Sequence, residues 1–327
     1  MKRILFRSDG GVIPETGTGH IRRSLLLAKA FSEFEIHFCS LDLEEYRYGR
    51  EIIAKEGFPL HLLSSDQYHS DLTELIKRIH PDFIVCDKLK YELEELRRLK
   101  EWGTPLMTFD HFDEHRSLSD YPINAVREEN TNSYSGLDYL VLPLQSEKAF
   151  RSVAENLFVC FGGFDALGIT EKLMKSLAEI HLPLTTDVIV GGGYQNLPDL
   201  SRICRGSRNE IRLHQEPENF MELLAGADIA CVSGGLIFYQ VVSLGLASVV
   251  ICQYEHQLEQ VGTLLDRKVC KLLGKGDSLD YREVIGVVCD MIGDSDERHT
   301  LYMNGRRLID GKGLNRVAEI VRRRLGT

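Results

Sequence analysis

Two short stretches near the start of the chain concentrate groups that could do chemistry: Arg7-Ser8-Asp9-Gly10-Gly11 and Gly17-Thr18-Gly19-His20-Ile21-Arg22-Arg23. An imidazole titrates near neutrality and can take a proton, so His20, at the mouth of this turn, reads as a general base. The glycines beside it permit positive φ or the close approach of a ligand. A helix starting here would add unpaired N–H groups and the positive end of its dipole, which suit an anion. Asp9 reads as a group that orients His20 or a bound sugar, or as a turn residue; Arg7 and Arg22 could be solvated cations. The competing reading of His20 is a helix cap or a core histidine. No Gly-Lys-Ser/Thr follows, so the turn is not a Walker A loop.

Further along, Asp110-His111-Phe112-Asp113-Glu114-His115 is the densest cluster of possible metal ligands. One contiguous loop cannot easily aim all of them at one ion, so a polar loop is expected and no metal site. Ser233-Gly234-Gly235, placed after an apolar run and before a helical pattern, is suited to a phosphate. Gly162-Gly163 is a second candidate for ligand contact, whereas Gly191-Gly192-Gly193 is explained by a tight turn alone. Gln240, five residues inside the helix after Gly235, could reach a ribose hydroxyl or face water.

The elements that must position these residues alternate regularly. Ile4-Leu5-Phe6 is an apolar run suited to a buried parallel strand, and Leu25, Leu26, Ala28 and Ala30 return at helical spacing. Strands at 35–39 and 60–63 and helices at 48–56 and 72–79 follow. A strand at 83–87 ends on Asp87, a helix spans 89–102, and a strand at 106–110 ends on Asp110. Acids at strand ends point to the carboxyl edge, where open α/β sheets put their ligands. The alternation restarts at 157–161, with a helix at 170–181, strands at 186–190 and 211–213, a helix at 218–225, and strands at 229–232 and 248–252. These patterns predict an α/β protein of two doubly wound Rossmann-like domains, 1–150 and 151–327, with a cleft between their carboxyl edges.

A chain of 327 residues suits two domains. Its formal net charge of −10 and isoelectric point near 5.6 argue against a nucleic-acid partner. Arg322-Arg323-Arg324 reads as a solvated helix end. No stretch has the length of a membrane span and no apolar leader is evident, so a cytoplasmic location is expected. Eight cysteines without a Cys-x-x-Cys pair read as reduced core thiols rather than zinc ligands or disulfides.

The motifs together resemble a family of nucleotide-sugar hydrolases. Its members release UDP from UDP-2,4-diacetamido-2,4,6-trideoxy-β-L-altropyranose in pseudaminic acid synthesis, and spore-coat polysaccharide proteins are related to them. The resemblance is carried by Phe6-Arg7-Ser8-Asp9, by Gly17, Gly19, His20 and Arg23 of a Gly-x-Gly-His-x-x-Arg motif, and by Phe161-Gly162-Gly163-x-Asp165. Ala227-Asp228 before Ser233-Gly234-Gly235, and Asp310-Gly311-Lys312-Gly313-x-x-Arg316-Val317, extend it over nearly the whole chain. It implies a glycosyltransferase-B-like fold with the sugar held by the N-terminal domain and the nucleotide by the C-terminal domain. His20 would activate water at the anomeric carbon, with inversion and without metal or cofactor. Arg7, Gly17, Gly19, Arg23 and Asp110 would bind the sugar, and Gly162, Gly163, Ser233, Gly234, Gly235 and Gln240 the nucleotide. The chain departs from the family at Leu236, Ile237 and Gln240, where relatives carry Ser/Thr and Glu. A neutral amide offers the ribose one acceptor and a donor in place of a charged acceptor. His111 stands where an acid is common, and Cys252-Gln253-Tyr254-Glu255-His256-Gln257 matches the family's Glu-Asn-Gln only in part. A glycosyltransferase using the same donor, or a binding homologue without turnover, is the alternative.

Overall fold

The computed structural model describes residues 1–11, 13, 17–110, 117–126, 134–143 and 148–326. The chain forms two compact units, Met1–Pro143 with Gly311–Thr327 and Leu144–Asp310.

Unit 1 carries a parallel sheet of β1 (Arg3–Ser8), β2 (Glu35–Leu41), β3 (Leu60–Leu63), β4 (Phe83–Asp87), β5 (Leu106–Phe109), β6 (Tyr121–Asn124) and β7 (Tyr134–Ser135). The strand order is β3-β2-β1-β4-β5-β6-β7, and every neighbouring pair is parallel. Side chains alternate across the sheet with a period of two. Ile4, Phe6, Phe83 and Val85 therefore pack with Ile21 and Leu25 of α1 (Gly19–Lys29) on one face. Leu5, Cys39, Ile84 and Cys86 pack on the other with Leu72 and Ile76 of α3 (Tyr68–Ile79) and Leu96 of α4 (Leu93–Glu101); α2 (Arg47–Lys55) lies between β2 and β3 in the chain. Burial on both faces is why these strands read as unbroken apolar runs.

Helix α4 starts four residues later than its sequence pattern suggests. Tyr91 is used instead as a wedge, its hydroxyl bonded to the carbonyls of Cys86 and Phe109, 2.9 and 2.7 Å away. The chain straightens only at Glu92, whose extended backbone opens the helix.

Unit 2 repeats the plan with β8 (Asn156–Cys160), β9 (Thr185–Val190), β10 (Ile211–Gln215), β11 (Ile229–Val232), β12 (Ala247–Cys252) and β13 (Lys271–Lys275). Their order is β10-β9-β8-β11-β12-β13, parallel throughout. Helices α5 (Ile169–Ala178), α6 (Leu197–Gly206), α7 (Phe220–Gly226), α8 (Leu236–Ser243), α9 (Glu255–Gly262), α10 (Tyr281–Gly293) and α11 (Ser295–Leu308) complete it. In both units the strand order reverses beside the first strand, between β1 and β4 and between β8 and β11, which is where such sheets take ligands.

The last helix, α12 (Gly313–Leu325), corrects the expected boundary at 151. Leu314, Val317, Ala318 and Val321 are buried in the core of unit 1 with Ile21 and Leu25. Gly313 has to be glycine, because a Cβ there would stand 2.1 Å from the Leu140 carbonyl oxygen. Arg322, expected to be solvated, donates to Ala30 O at the end of α1 and to Glu33, both at 2.6 Å.

Seven cysteines are buried and Cys289 is exposed. Burial pushes the Cys231 thiol up to about 12 and Cys252 up to about 11, so these are packing groups and poor nucleophiles. Among the described residues no helix is long and apolar enough to cross a membrane.

Candidate active site

The chemistry of unit 1 is assembled from α1 and β4. His20 and Arg23 are separated by three positions, which puts both on one face of a helix. That face meets the carboxyl end of β4, because Phe83, Val85 and Asp87 all point to the α1 side of the sheet. His20 Nδ1 lies 2.8 Å from Asp87 Oδ1. Arg23 grips the same carboxylate in a fork, Nε to Oδ2 at 2.8 Å and Nη2 to Oδ1 at 2.7 Å. Its remaining nitrogen, Nη1, reaches Asp110 Oδ2 at 2.5 Å. The guanidinium also lies over the Phe109 ring, 4.6 Å from its centroid.

Asp87 is fully buried. Burial alone would raise its pKa, but the Arg23 charge and the hydrogen bonds from Arg23 and His20 outweigh that and hold it at about 2. An ionised carboxylate can only accept hydrogen bonds. His20 must therefore carry its ring proton on Nδ1, which leaves the Nε2 lone pair free, and no described residue bonds to Nε2. The ring is 16% exposed, so that lone pair can be reached. An imidazole whose tautomer is fixed in this way by a neighbouring acid can serve as a general base.

The glycines of the turn divide by job. Gly10 and Gly11 are needed for packing, since a Cβ would stand 2.9 Å from Gly17 O and 1.9 Å from Glu45 O respectively. Gly17 has φ +52, and a methyl placed on Gly17 or on Gly19 would meet no atom of the described residues within 4 Å. Among the described residues, the space left open in front of the α1 N-terminus is therefore at the residues expected to admit a ligand.

Two expectations are corrected. The acid that orients His20 is Asp87 and not Asp9. Arg7 and Asp9 lie on the alternate, α3/α4 side of the sheet, as the period of two requires. Asp9 accepts from Ser40 Oγ at 2.9 Å and Leu41 N at 3.0 Å, and pairs with Arg7 at 2.6 Å. Arg7, 1% exposed, is also 3.1 Å from the Tyr68 hydroxyl and 3.4 Å from Glu95, and Glu95 in turn takes hydrogen bonds from Tyr68 and Lys88. Burial disfavours the Glu95 carboxylate, yet Lys88 and Arg7 hold its pKa below the ordinary value. Arg7 is thus a buried structural cation rather than a group open to a sugar. Arg23 and Asp110 are brought to His20, but the Arg23 nitrogens are taken up by carboxylates.

Asp87 ends a strand as the sequence suggests, but its partnership with His20 is 67 residues away in the chain. No local signal in β4 could have found it, because Ile84 and Cys86 are as apolar and buried as Phe83 and Val85. Lys88, Glu95 and Tyr68 carry none either. Residues 111–116, which hold most of the Asp110–His115 cluster, lie outside the described residues. Among the described residues no group of three or more His, Cys, Asp or Glu is placed to hold a metal.

In unit 2 the corresponding edge is mostly neutral, with one buried carboxylate, Asp165, in the turn after β8. Ser233 and Gly234 are buried, and Gly235 is the N-cap of α8 without any side-chain cap. Gly234 is compressed by its surroundings, since a Cβ would be 2.9 Å from Gln257 Cβ and 3.0 Å from Cys252 Sγ. Gly162 has φ +89, with the Ser233 hydroxyl 4.0 Å from where its Cβ would be, so the turns after β8 and β11 are neighbours. Gly163 packs against Gly191, where a Cβ would fall 2.4 Å from Gly163 Cα, so Gly191 is held to glycine by packing. Gln253 ties the edge together: it accepts from Ala166 N at 2.7 Å, donates to Phe161 O at 2.6 Å, and its own N–H donates to Gln257 at 2.9 Å. Asp165 caps α5 by accepting from Ile169 N and Thr170 N, 2.9 and 2.8 Å away. Gln240 is 8% exposed and lies between apolar neighbours on α8. Leu236 and Ile237 occupy the first turn of that helix.

The sequence matches no protein-family model. It is similar over nearly its whole length to the spore coat polysaccharide biosynthesis protein SpsG of Bacillus subtilis, with 24% identity covering 96% of each chain. It is 25% identical to the UDP-2,4-diacetamido-2,4,6-trideoxy-β-L-altropyranose hydrolase of Campylobacter jejuni, covering 81% of this chain and 97% of the relative. Among solved structures, Acinetobacter baumannii MurG superposes with a TM-score of 0.74 at 12% identity, covering 99% of this chain and 100% of MurG. The calicheamicin glycosyltransferase CalG4 gives 0.67 at 13% identity, covering 100% and 98%. The fold is that of the glycosyltransferase-B enzymes, as the resemblance implied.

Proposed function

We propose that this protein is a hydrolase of a nucleotide-activated sugar, releasing UDP from a UDP-linked amino-deoxy sugar in surface-glycan synthesis. His20 Nε2 takes a proton from water, the hydroxide oxygen bonds to the anomeric carbon from the face opposite the nucleotide, and the bond from that carbon to the β-phosphate oxygen breaks. UDP leaves as the anion and the configuration inverts. Unit 1 holds the sugar at the open glycines of the α1 turn. Unit 2 holds the nucleotide by backbone N–H groups and the Ser233 hydroxyl of the turns after β8 and β11.

The observation that carries this reading is the His20–Asp87 pair at the strand-order reversal of unit 1, with Nε2 unpartnered among the described residues. The relatives support the choice of substrate class. The fold likeness to glycosyltransferases supports a second reading, in which an acceptor hydroxyl takes the place of water.

Purified protein incubated with a panel of UDP- and CMP-sugars, without acceptor, separates the two. Nucleotide release from one UDP-sugar is expected, and His20→Gln should lower kcat by about 10²–10⁴-fold. Release that begins only when an acceptor is added would establish transfer. Tight UDP binding with no turnover of any sugar would make the protein a binding homologue, and full turnover by His20→Gln would remove the assigned base.

A further inference from the structure

A buried carboxylate beside a catalytic imidazole has two states, and only one of them supports a base. Burial by itself favours the neutral acid. A protonated Asp87 could donate its own hydrogen to Nδ1, and the ring proton would then sit on Nε2, where the lone pair is needed. Something must hold Asp87 ionised and aimed. Arg23 is 6% exposed, and all three of its side-chain nitrogens bond to carboxylates: Nε and Nη2 to Asp87, Nη1 to Asp110.

Asp110 shows the signs of a brace. Its backbone is in the left-handed region, φ 48, which costs a non-glycine residue free energy and persists only when neighbours enforce it. Its N–H donates to Ile123 O at 2.8 Å, and Phe109 just before it is held at both its N–H and its carbonyl by the Tyr91 hydroxyl. The two carboxylates and one guanidinium leave one surplus negative charge beside His20, which suits an imidazolium formed when the ring takes a proton.

We infer that Arg23 is a positioning residue, a guanidinium fork that fixes Asp87 as the ionised acceptor for His20 Nδ1, with Asp110 as its counter-brace, and that it does not bind the sugar. The kinetic consequence rests on His20 being the base; the tautomer of His20 does not, and it can be read without substrate.

The test uses the full chain labelled with ¹⁵N-histidine, with His20→Gln to identify the signal. Neutral His20 in the wild type should carry its proton on Nδ1. Arg23→Gln should turn this into a mixture with the Nε2-protonated form, and Arg23→Lys, which keeps the charge without the fork, should fall between them. Asp110→Asn should move it less than Arg23→Gln. With a turned-over substrate, Arg23→Gln should lower kcat by about 10–100-fold and leave KM within about threefold. An Nε2-protonated ring in the wild type overturns the inference before any variant is made. So does an unchanged tautomer in both Arg23 variants, or a KM that rises while kcat stays. If Arg23→Gln does not fold, Arg23→Lys and Asp110→Asn carry the same comparison.

Discussion

The two units share a strand order and differ in what they place at its reversal. In unit 1 the edge is filled with buried charge: Asp87, Arg23 and Asp110 around His20 on one face, Arg7, Asp9, Glu95 and Lys88 on the other. In unit 2 it is made mostly of glycine backbone, a serine and the amides of Gln253 and Gln257, and its one buried carboxylate, Asp165, is taken up in capping α5. Fixed charges can hold an imidazole in one tautomer and stabilise it when protonated. Neutral donors and backbone N–H groups can accept a polyanion without repelling it or gripping it too firmly. One topology therefore carries two kinds of edge, and the side chains at the switch point decide which.

The largest expected effect breaks the charged side of the comparison. Asp87→Ala leaves Arg23 buried with one partner fewer, and unfolding in denaturant should show a loss of about 3–5 kcal/mol. Gln253→Ala in unit 2, which removes only neutral hydrogen bonds, should cost less in the same measurement.

Acid should separate the units next. Asp87 has a folded pKa below its unfolded one, about 2 against 3.8, so its contribution is complete above about pH 4 and is lost as pH falls toward 2. That loss is worth roughly 2 kcal/mol, and Asp9 and Glu95, also lowered, act in the same direction. Asp165 in unit 2 has the opposite sign: burial raises its pKa despite the cap hydrogen bonds. Its contribution is present below the unfolded value and is lost as pH rises through the folded one. Hydrogen exchange between about pH 5 and about pH 2, a window that spans the Asp87 transition, should show β1 and β4 losing protection before β8 and β11. The reverse order would contradict this assignment of charges.

The smallest effect compares two glycines. Gly191→Ala forces a methyl against the Gly163 backbone and should destabilise by about 1–2 kcal/mol. Gly19→Ala points a methyl into open space at a helix start and should leave the melting temperature nearly unchanged, while lowering kcat/KM. If Gly19→Ala is as active as wild type, the open space is not where the substrate lies.

Much of this is legible in the chain. The alternation of strands and helices, the restart near residue 157 and the acids ending β4 and β5 follow from local pattern. His20 stands out because a histidine directly after a glycine-rich turn, at a helix start, has few structural uses. Arg7 and Asp9 mislead because a strand buried on both faces shows no alternation of polar and apolar residues, so the side each faces is hidden. Lys88, Glu95 and Tyr68 carry no local sign of their shared network. The gathering of α12 into unit 1 is equally invisible, since an amphipathic helix does not say which sheet it covers.

Local order in the sequence settled which segments became strands and helices, because hydrophobic period and glycine placement act over a few residues. It also set His20 and Arg23 on one helical face, through their spacing alone. Which acid met that face was decided by the tertiary structure, since β1 pairs with β4 across about 80 residues of chain and the pleat assigns Asp87 to one side and Asp9 to the other. Charge buried at that junction has its meaning only there, where burial, a guanidinium and an imidazole act on the same carboxylate.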